Sequence, residues 1–180
     1  LRIGNLKNGK ENRHVIDYYP NGRIKNKAHF IDGELNGEVI SYSENGNIIE
    51  KGFMKGKLLN GDAFAYYPNG KLKEKDSFKN GKREGESIIY YENGNVKQKS
   101  TFKNDKREGD LFIYYPSGKL LQKRKFINGK AEGELIEYYE NGVVKEKAYF
   151  INDKQEKEHF FYDEKGKLIK TDIYKNGVKQ

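Results

Sequence analysis

The chain has 180 residues, 35 basic and 27 acidic, for a formal net charge of +8. Only 34% of residues are apolar and 34% are charged, so a thick two-layer core is excluded, while an aromatic content of 13% argues against disorder. There is no cysteine, which excludes disulfides, thiolate metal sites and cysteine nucleophiles, and no apolar run approaches the roughly 18 residues of a membrane-spanning helix.

Read from the N-terminus, the chain repeats itself every 24 residues, a period that decides its architecture before any local feature does. Residues 1–5 are the tail of an incomplete unit. An apolar residue then opens each unit, at Leu6, Phe30, Met54, Phe78, Phe102, Phe126 and Phe150, and Tyr174 opens a partial unit over 174–180. The fourth position is glycine in five units (Gly9, Gly33, Gly81, Gly129, Gly177), and so is the eighth (Gly37, Gly61, Gly85, Gly109, Gly133). A predicted strand follows, as in 86–91, with apolar residues at the eleventh position (Ile16, Ile40, Phe64, Ile88, Phe112, Ile136, Phe160) and tyrosine at the thirteenth in all seven units. Next comes a turn, Pro20-Asn21-Gly22 in the first unit and Glu92-Asn93-Gly94 in the fourth, whose glycine is the seventeenth residue seven times over. A second predicted strand, as in 96–102, carries an apolar nineteenth position and leads into the next unit.

The three glycine columns hold 17 of the 20 glycines, so glycine here marks turns rather than flexibility. Asn-Gly fits a two-residue type I′ loop, whereas proline two places before the glycine fits a type I turn closed by a left-handed glycine bulge. Parity favours the second, because the apolar positions (one, eleven, thirteen, nineteen) are all odd and only the three-residue loop puts odd residues of both strands on one face. The other face is then expected to carry Tyr19, Tyr67, Tyr91, Tyr115 and Tyr139 at position fourteen and Lys27, Lys51, Lys75, Lys99, Lys123 and Lys147 at position twenty-two.

The fold class is thus all-β: a single repeat array over 1–180, forming an elongated antiparallel meander of about seven hairpin units in a single-layer twisted sheet. About 15 strands at roughly 4.8 Å each would span near 70 Å. The seventh unit has cap character, with Lys157 for the eighth-position glycine and Asp163 for the second tyrosine. In the third unit the glycines are displaced, to Gly52 and Gly56 around Phe53-Met54, which predicts a local bulge or change of twist.

The run Phe78-Lys79-Asn80-Gly81-Lys82-Arg83-Glu84-Gly85-Glu86, followed by Tyr90-Tyr91-Glu92-Asn93-Gly94, resembles MORN repeats, in the variant found in bacterial antitoxin proteins of the YwqK type. The likeness recurs at Phe102, Phe126 and Phe30 and covers essentially the whole chain. It implies a bacterial interaction module, with an immunity partner of a toxin as its sharpest form, and no enzyme core. MORN repeats also precede the catalytic domain of plant phosphatidylinositol phosphate kinases, but this chain has no glycine-rich phosphate loop and no catalytic-loop Asp and Asn arrangement.

The expected function is therefore a non-enzymatic scaffold that binds another protein, with no cofactor. Its candidate surface is the position-fourteen tyrosines with the position-twenty-two lysines, since exposed rings anchor protein interfaces. A peripheral module on anionic lipid and a self-associating structural array are the alternatives. Nucleic acid is disfavoured, because 29 of the 35 cations are lysine and acidic residues recur at position nine (Glu38, Asp62, Glu86, Asp110, Glu134, Glu158), a pattern suited to cross-strand pairing. His14 and His29 can approach across the first hairpin, yet no third ligand accompanies them, so no metal site is expected. Paired carboxylates such as Glu84 and Glu86 recur with the turn, and no catalytic residues are assigned. The opening Leu1-Arg2-Ile3 carries neither methionine nor an apolar leader, so loss of an upstream segment is expected and the compartment, cytoplasmic or exported, stays open. Abundant Lys, Asn and Ile suggest a low-GC bacterial source.

Overall fold

The computed structural model describes all residues from Leu1 to Gln180 and is built of β-strands and turns without a helix. Two compact units divide the chain, Leu1–Gly85 and Glu86–Gln180. The first holds β1 (Arg2–Lys7), β2 (Lys10–Tyr18), β3 (Ile24–Ile31), β4 (Glu34–Tyr42), β5 (Ile48–Lys55), β6 (Leu58–Leu59), β7 (Gly61–Tyr66), β8 (Leu72–Lys79) and the start of β9 (Lys82–Tyr90). The second holds the rest of β9, then β10 (Val96–Lys103), β11 (Lys106–Arg107), β12 (Gly109–Tyr114), β13 (Leu120–Ile127), β14 (Lys130–Tyr138), β15 (Val144–Ile151), β16 (Lys154–Tyr162), β17 (Leu168–Lys175) and β18 (Val178–Lys179). Within each unit, strands adjacent in sequence pair antiparallel. The short strands β6 and β11 each run on into a longer one after a one-residue break, where the Asn60 and Glu108 amides donate back to the carbonyls of Phe53 and Thr101.

Two kinds of turn alternate. At Tyr19-Pro20-Asn21-Gly22 the Gly22 amide donates to the Tyr19 carbonyl (3.0 Å) and the Tyr19 amide to the Arg23 carbonyl (2.8 Å), with Gly22 at φ +81°. This is the type I turn with a glycine bulge that proline at its second residue favours. The opposite turns are two-residue loops: Asn80 and Gly81 both have positive φ, 51° and 79°, the type I′ signature. The third unit departs only here. Gly56 has φ 62° while Lys57 is not left-handed, which is the II′ pattern, and the ladder still pairs Met54 with Leu59 and Lys55 with Leu58. The expected disturbance is therefore a change of turn type, and the register survives because glycine moved one place to where II′ needs it.

The predicted distribution of side chains between faces is corrected by a second irregularity. Near the bulged turn Tyr18 pairs with Ile24, as the three-residue loop requires, but Asp17 pairs with Asn26 and leaves Lys25 unpaired. The same skip occurs at Ile49, Lys73, Leu121, Lys145 and Ile169. One extra residue reverses the parity of everything beyond it. Position eleven consequently faces position twenty-two across the ladder, as in Phe64 with Lys75 and Phe112 with Lys123. The opening aromatic falls on the opposite face, together with positions six, ten and twenty-three: Ala28 pairs with Val39, and Phe126 with Ala131.

That second face carries the core. Its buried apolar residues are Val15 in the first unit and Phe102, Leu111, Phe126, Ala131, Leu135 and Ala148 in the second. Leu111, Phe126 and Ala131 form a cluster flanked by Ile113 and Phe150. A thin sheet reaches this burial only where large and small residues interdigitate, as fully buried Ala131 does beneath Phe126.

Candidate partner-binding surface

The position-fourteen tyrosines open the bulged turn and are half-buried. Their hydroxyls are used within the fold: Tyr19, Tyr91, Tyr115 and Tyr139 donate to the backbone carbonyls of Tyr42, Tyr114, Tyr138 and Tyr162 at 2.7 to 2.9 Å. Each donor lies 23 residues before its acceptor, so each bond ties one repeat to the next. Burial, with Glu137 nearby, pushes the Tyr115 hydroxyl above its ordinary pKa. Asparagine beside the tyrosine repeats the stitch, as Asn93 Nδ2 does at 2.7 Å from the Pro116 carbonyl. Lysines at the unpaired position twenty stand over the rings: Lys25 on Tyr19, Lys73 on Tyr67 and Lys97 on Tyr91, at 5.6 to 5.9 Å.

The position-twenty-two lysines are therefore not brought together with these tyrosines. They stand cross-strand from the position-eleven residues, and Lys51, Lys75 and Lys123 place their amines 5.0 to 5.9 Å from the ring centres of Phe64 and Phe112. On the same face, Lys75 pairs with Asp62 (2.9 Å), Lys99 with Glu86 (2.6 Å) and Lys123 with Asp110 (3.2 Å), the opposite-sign columns that the sequence pattern suggests. Hydrogen bonds from Ser77 and Lys75 hold the Asp62 carboxyl below its usual range, and the bond to Glu86 raises the Lys99 amine. Lys27, Lys51 and Lys147 form none of these pairs. Within each unit the result is a ridge of lysines over partly covered rings and aliphatic side chains, with carboxylates between them.

Other sequence candidates have structural settings. His14 and His29 meet edge to face with ring centres 5.0 Å apart. No group of three His, Asp or Glu side chains is arranged to hold a metal ion. Position-seven carboxylates receive the amide of the next two-residue turn, Asn128 on Glu108 (2.7 Å) and Asn176 on Glu156 (2.6 Å), which explains their recurrence. Two features of the core face have no counterpart in the sequence reading. In the second unit Arg107 and Arg124 lie over the phenylalanine column, and in the first unit the same face opens into a cavity of about 540 Å³. The sequence signals are the variability of position twenty-three (Gly4, Ala28, Gly52, Asp76, Ser100, Arg124, Ala148, Asp172) and of position six, where Leu59, Arg83, Arg107 and Ala131 follow one another.

The repeated hairpins, the bonds that carry each unit onto the next and the long regular faces define a β-hairpin repeat protein, whose stability is a sum over neighbouring units. The chain belongs to the MORN repeat variant family, which it matches at residues 14–32, 35–55, 59–80, 83–104, 107–128, 131–152 and 155–176. No curated protein matches it significantly. Six of the seven matched segments run from one two-residue turn to the next, the first starts within β2 at His14, and all bracket the bulged turn, so the family's repeat is the hairpin seen here.

Proposed function

We propose that the chain is a non-enzymatic interaction scaffold that holds an acidic protein partner along its lysine-bearing face. MORN repeats are in general protein or membrane interaction modules. The observation that carries the reading is the lysine column itself: Lys27 and Lys51 in the first unit, and Lys147 in the second, each stand on a ladder face of their own unit without an ion-pair partner, in a chain of net charge +8. Such charges steer and select an acidic partner, and the position-eleven rings beside them offer contact area. Neutralisation of a toxin by occupying its surface is the specific form of this scaffold role that we favour, following the likeness to bacterial antitoxin repeats. The tyrosines of position fourteen contribute by holding the ridge in register, since their hydroxyls are committed to the backbone.

Cross-linking capture from the source organism tests this, using wild type and a Lys27→Glu, Lys51→Glu, Lys147→Glu triple variant. An acidic protein recovered by the wild type and lost by the folded variant is the expected result. Equal recovery would remove the lysine face from the interaction. Flotation with neutral and anionic vesicles runs alongside: lysine-dependent binding to anionic vesicles, with no protein captured, would replace the protein partner by a membrane surface.

A further inference from the structure

The core face of the first unit is incomplete, and the second unit indicates what completes it. In the second unit the guanidinium of Arg124 lies 5.3 Å from the ring centre of Phe126 and 4.4 Å from that of Phe150, and Arg107 lies 5.5 and 5.7 Å from Phe102 and Phe126. Cations thus fill the space over the phenylalanine column. Three periods before Arg124 stands Gly52, and two periods before Arg107 stands Leu59. Beside Gly52 and Leu59 the first unit has a cavity of about 540 Å³, while Arg83, one period before Arg107, is directed to Asp76 and Glu74. Gly52, Met54, Leu59, Ala63 and Phe78 are among the residues that line the cavity.

Three carboxylates, Glu50, Glu74 and Asp76, and two amines, Lys51 and Lys57, lie around the cavity. Asp76 is only 6% exposed, and its Oδ1 is buried without a hydrogen-bond partner. Its other oxygen lies 3.2 Å from Arg83, which also stands 3.8 Å from Glu74. One guanidinium therefore serves two carboxylates and leaves Oδ1 unmet. Lys51 directs its amine to Phe64, and Lys57 belongs to the turn. Burial, followed by the Asp76 charge, raises the Glu74 carboxyl above its ordinary pKa, and the opposing charge of Arg83 does not offset them. An unpartnered buried carboxylate oxygen is costly and is relieved by a donor that carries charge.

We propose that this cavity binds an amphipathic cation, an apolar body ending in a guanidinium or ammonium group, with the charged end on Glu74 and Asp76 and the body against Met54 and Phe78. It is the trans counterpart of what Arg124 does in cis. The cation is a basic side chain of a partner segment or a free amine, and the chemistry is the same for both. The inference concerns the face opposite the lysine ridge and does not depend on that ridge having a partner.

The test is a heteronuclear NMR titration of the full chain with n-butylguanidinium, with n-butanol, and with a short arginine peptide and its citrulline counterpart. Saturable shifts confined to residues 39–81, with affinity at least about tenfold higher for the charged member of each pair, are expected. A Glu74→Gln, Asp76→Asn double variant should weaken binding by at least about tenfold. Gly52→Arg should abolish it by filling the cavity from within. Gly52 is not at positive φ, and a Cβ there would meet the mobile end of Leu59 at 3.0 Å, so this variant keeps the test open if the carboxylate variant does not fold. Unchanged signals from 86–180 report intact folding. Tighter binding of the peptide than of n-butylguanidinium identifies a partner side chain as the natural occupant, and equal binding identifies a free amine. Absence of shifts with both charged probes, equal binding of the neutral ones, or full affinity in Gly52→Arg overturns the proposal.

Discussion

The two compact units use one repeat and one set of turns, yet they fill the same face differently. In Glu86–Gln180 that face is closed: six of the seven buried apolar residues lie there, and two arginines cover the phenylalanine column. In Leu1–Gly85 only Val15 is buried among apolar residues, and carboxylates face a cavity. The turns and ladders that define the repeat are unaffected. What differs is the size and charge of side chains at positions six, twenty-one and twenty-three, so the framework tolerates a filled and an unfilled version of one site. A repeat stabilised through its neighbours has this latitude, because the backbone bonds between units do not depend on how one face is packed.

The largest test of this contrast is a truncation on each side. Phe126→Ala, within the closed cluster, is expected to cost about 3 kcal/mol or more, whereas Phe78→Ala, beside the open cavity, should cost roughly half as much because less buried contact is lost. Chemical denaturation of both variants measures this, and equal costs would show that the two faces are packed alike. Next, Arg124→Gly should open the second unit in the image of the first and cost about 2 kcal/mol of ring stacking and cover. Thermal unfolding with no change in midpoint would mean that the guanidinium only decorates the column.

A smaller effect should be the same in both units. Tyr19→Phe and Tyr115→Phe each remove one hydroxyl-to-carbonyl bond that joins repeats, an expected loss of about 1 kcal/mol apiece. Hydrogen exchange at the acceptor strands should quicken alike in the two units, and a difference between them would place the contrast in the framework rather than in the face.

The smallest effect is in the pH dependence. Glu74 has its pKa raised above 4.5 by burial, with the Asp76 charge adding to it. The native state therefore holds this proton more tightly than the unfolded chain. The contribution favours folding below the ordinary value and is lost as pH rises through the raised one. Asp62, lowered by Ser77 and Lys75, acts in the opposite sense: its contribution is present above its unfolded value of 3.8 and is lost as pH falls through the depressed one. Glu74→Gln should flatten the decline in stability above pH 4.5, and Asp62→Asn the acid limb. Unchanged pH profiles by denaturant titration would argue against both environments.

Much of the framework was legible in the residues. Gly22, Gly70 and Gly118 reported the bulged turn through the proline before them, and Asn80-Gly81 supplies the positive φ that a two-residue loop demands. The opposite-sign columns at positions nine and twenty-two do pair in the fourth unit, where Lys99 meets Glu86. The assignment of faces failed at one residue. Lys25 and its equivalents are passed over by the ladder, and nothing in a lysine announces a bulge. The candidate surface suffered accordingly: its lysines went to the face of Phe64 and Phe112, while its tyrosines were spent on the carbonyls of the next repeat.

The 24-residue period, the all-β character and both turns were determined by the chain alone, because glycine, proline and asparagine act on the φ and ψ of their own neighbourhood. Which side chains share a face, where the tyrosine hydroxyls end and why one unit is open were decided only in three dimensions. A single unpaired residue inverts a strand's parity, and whether Gly52 leaves room depends on atoms from Leu59 and Ala63 that only the ladder brings beside it.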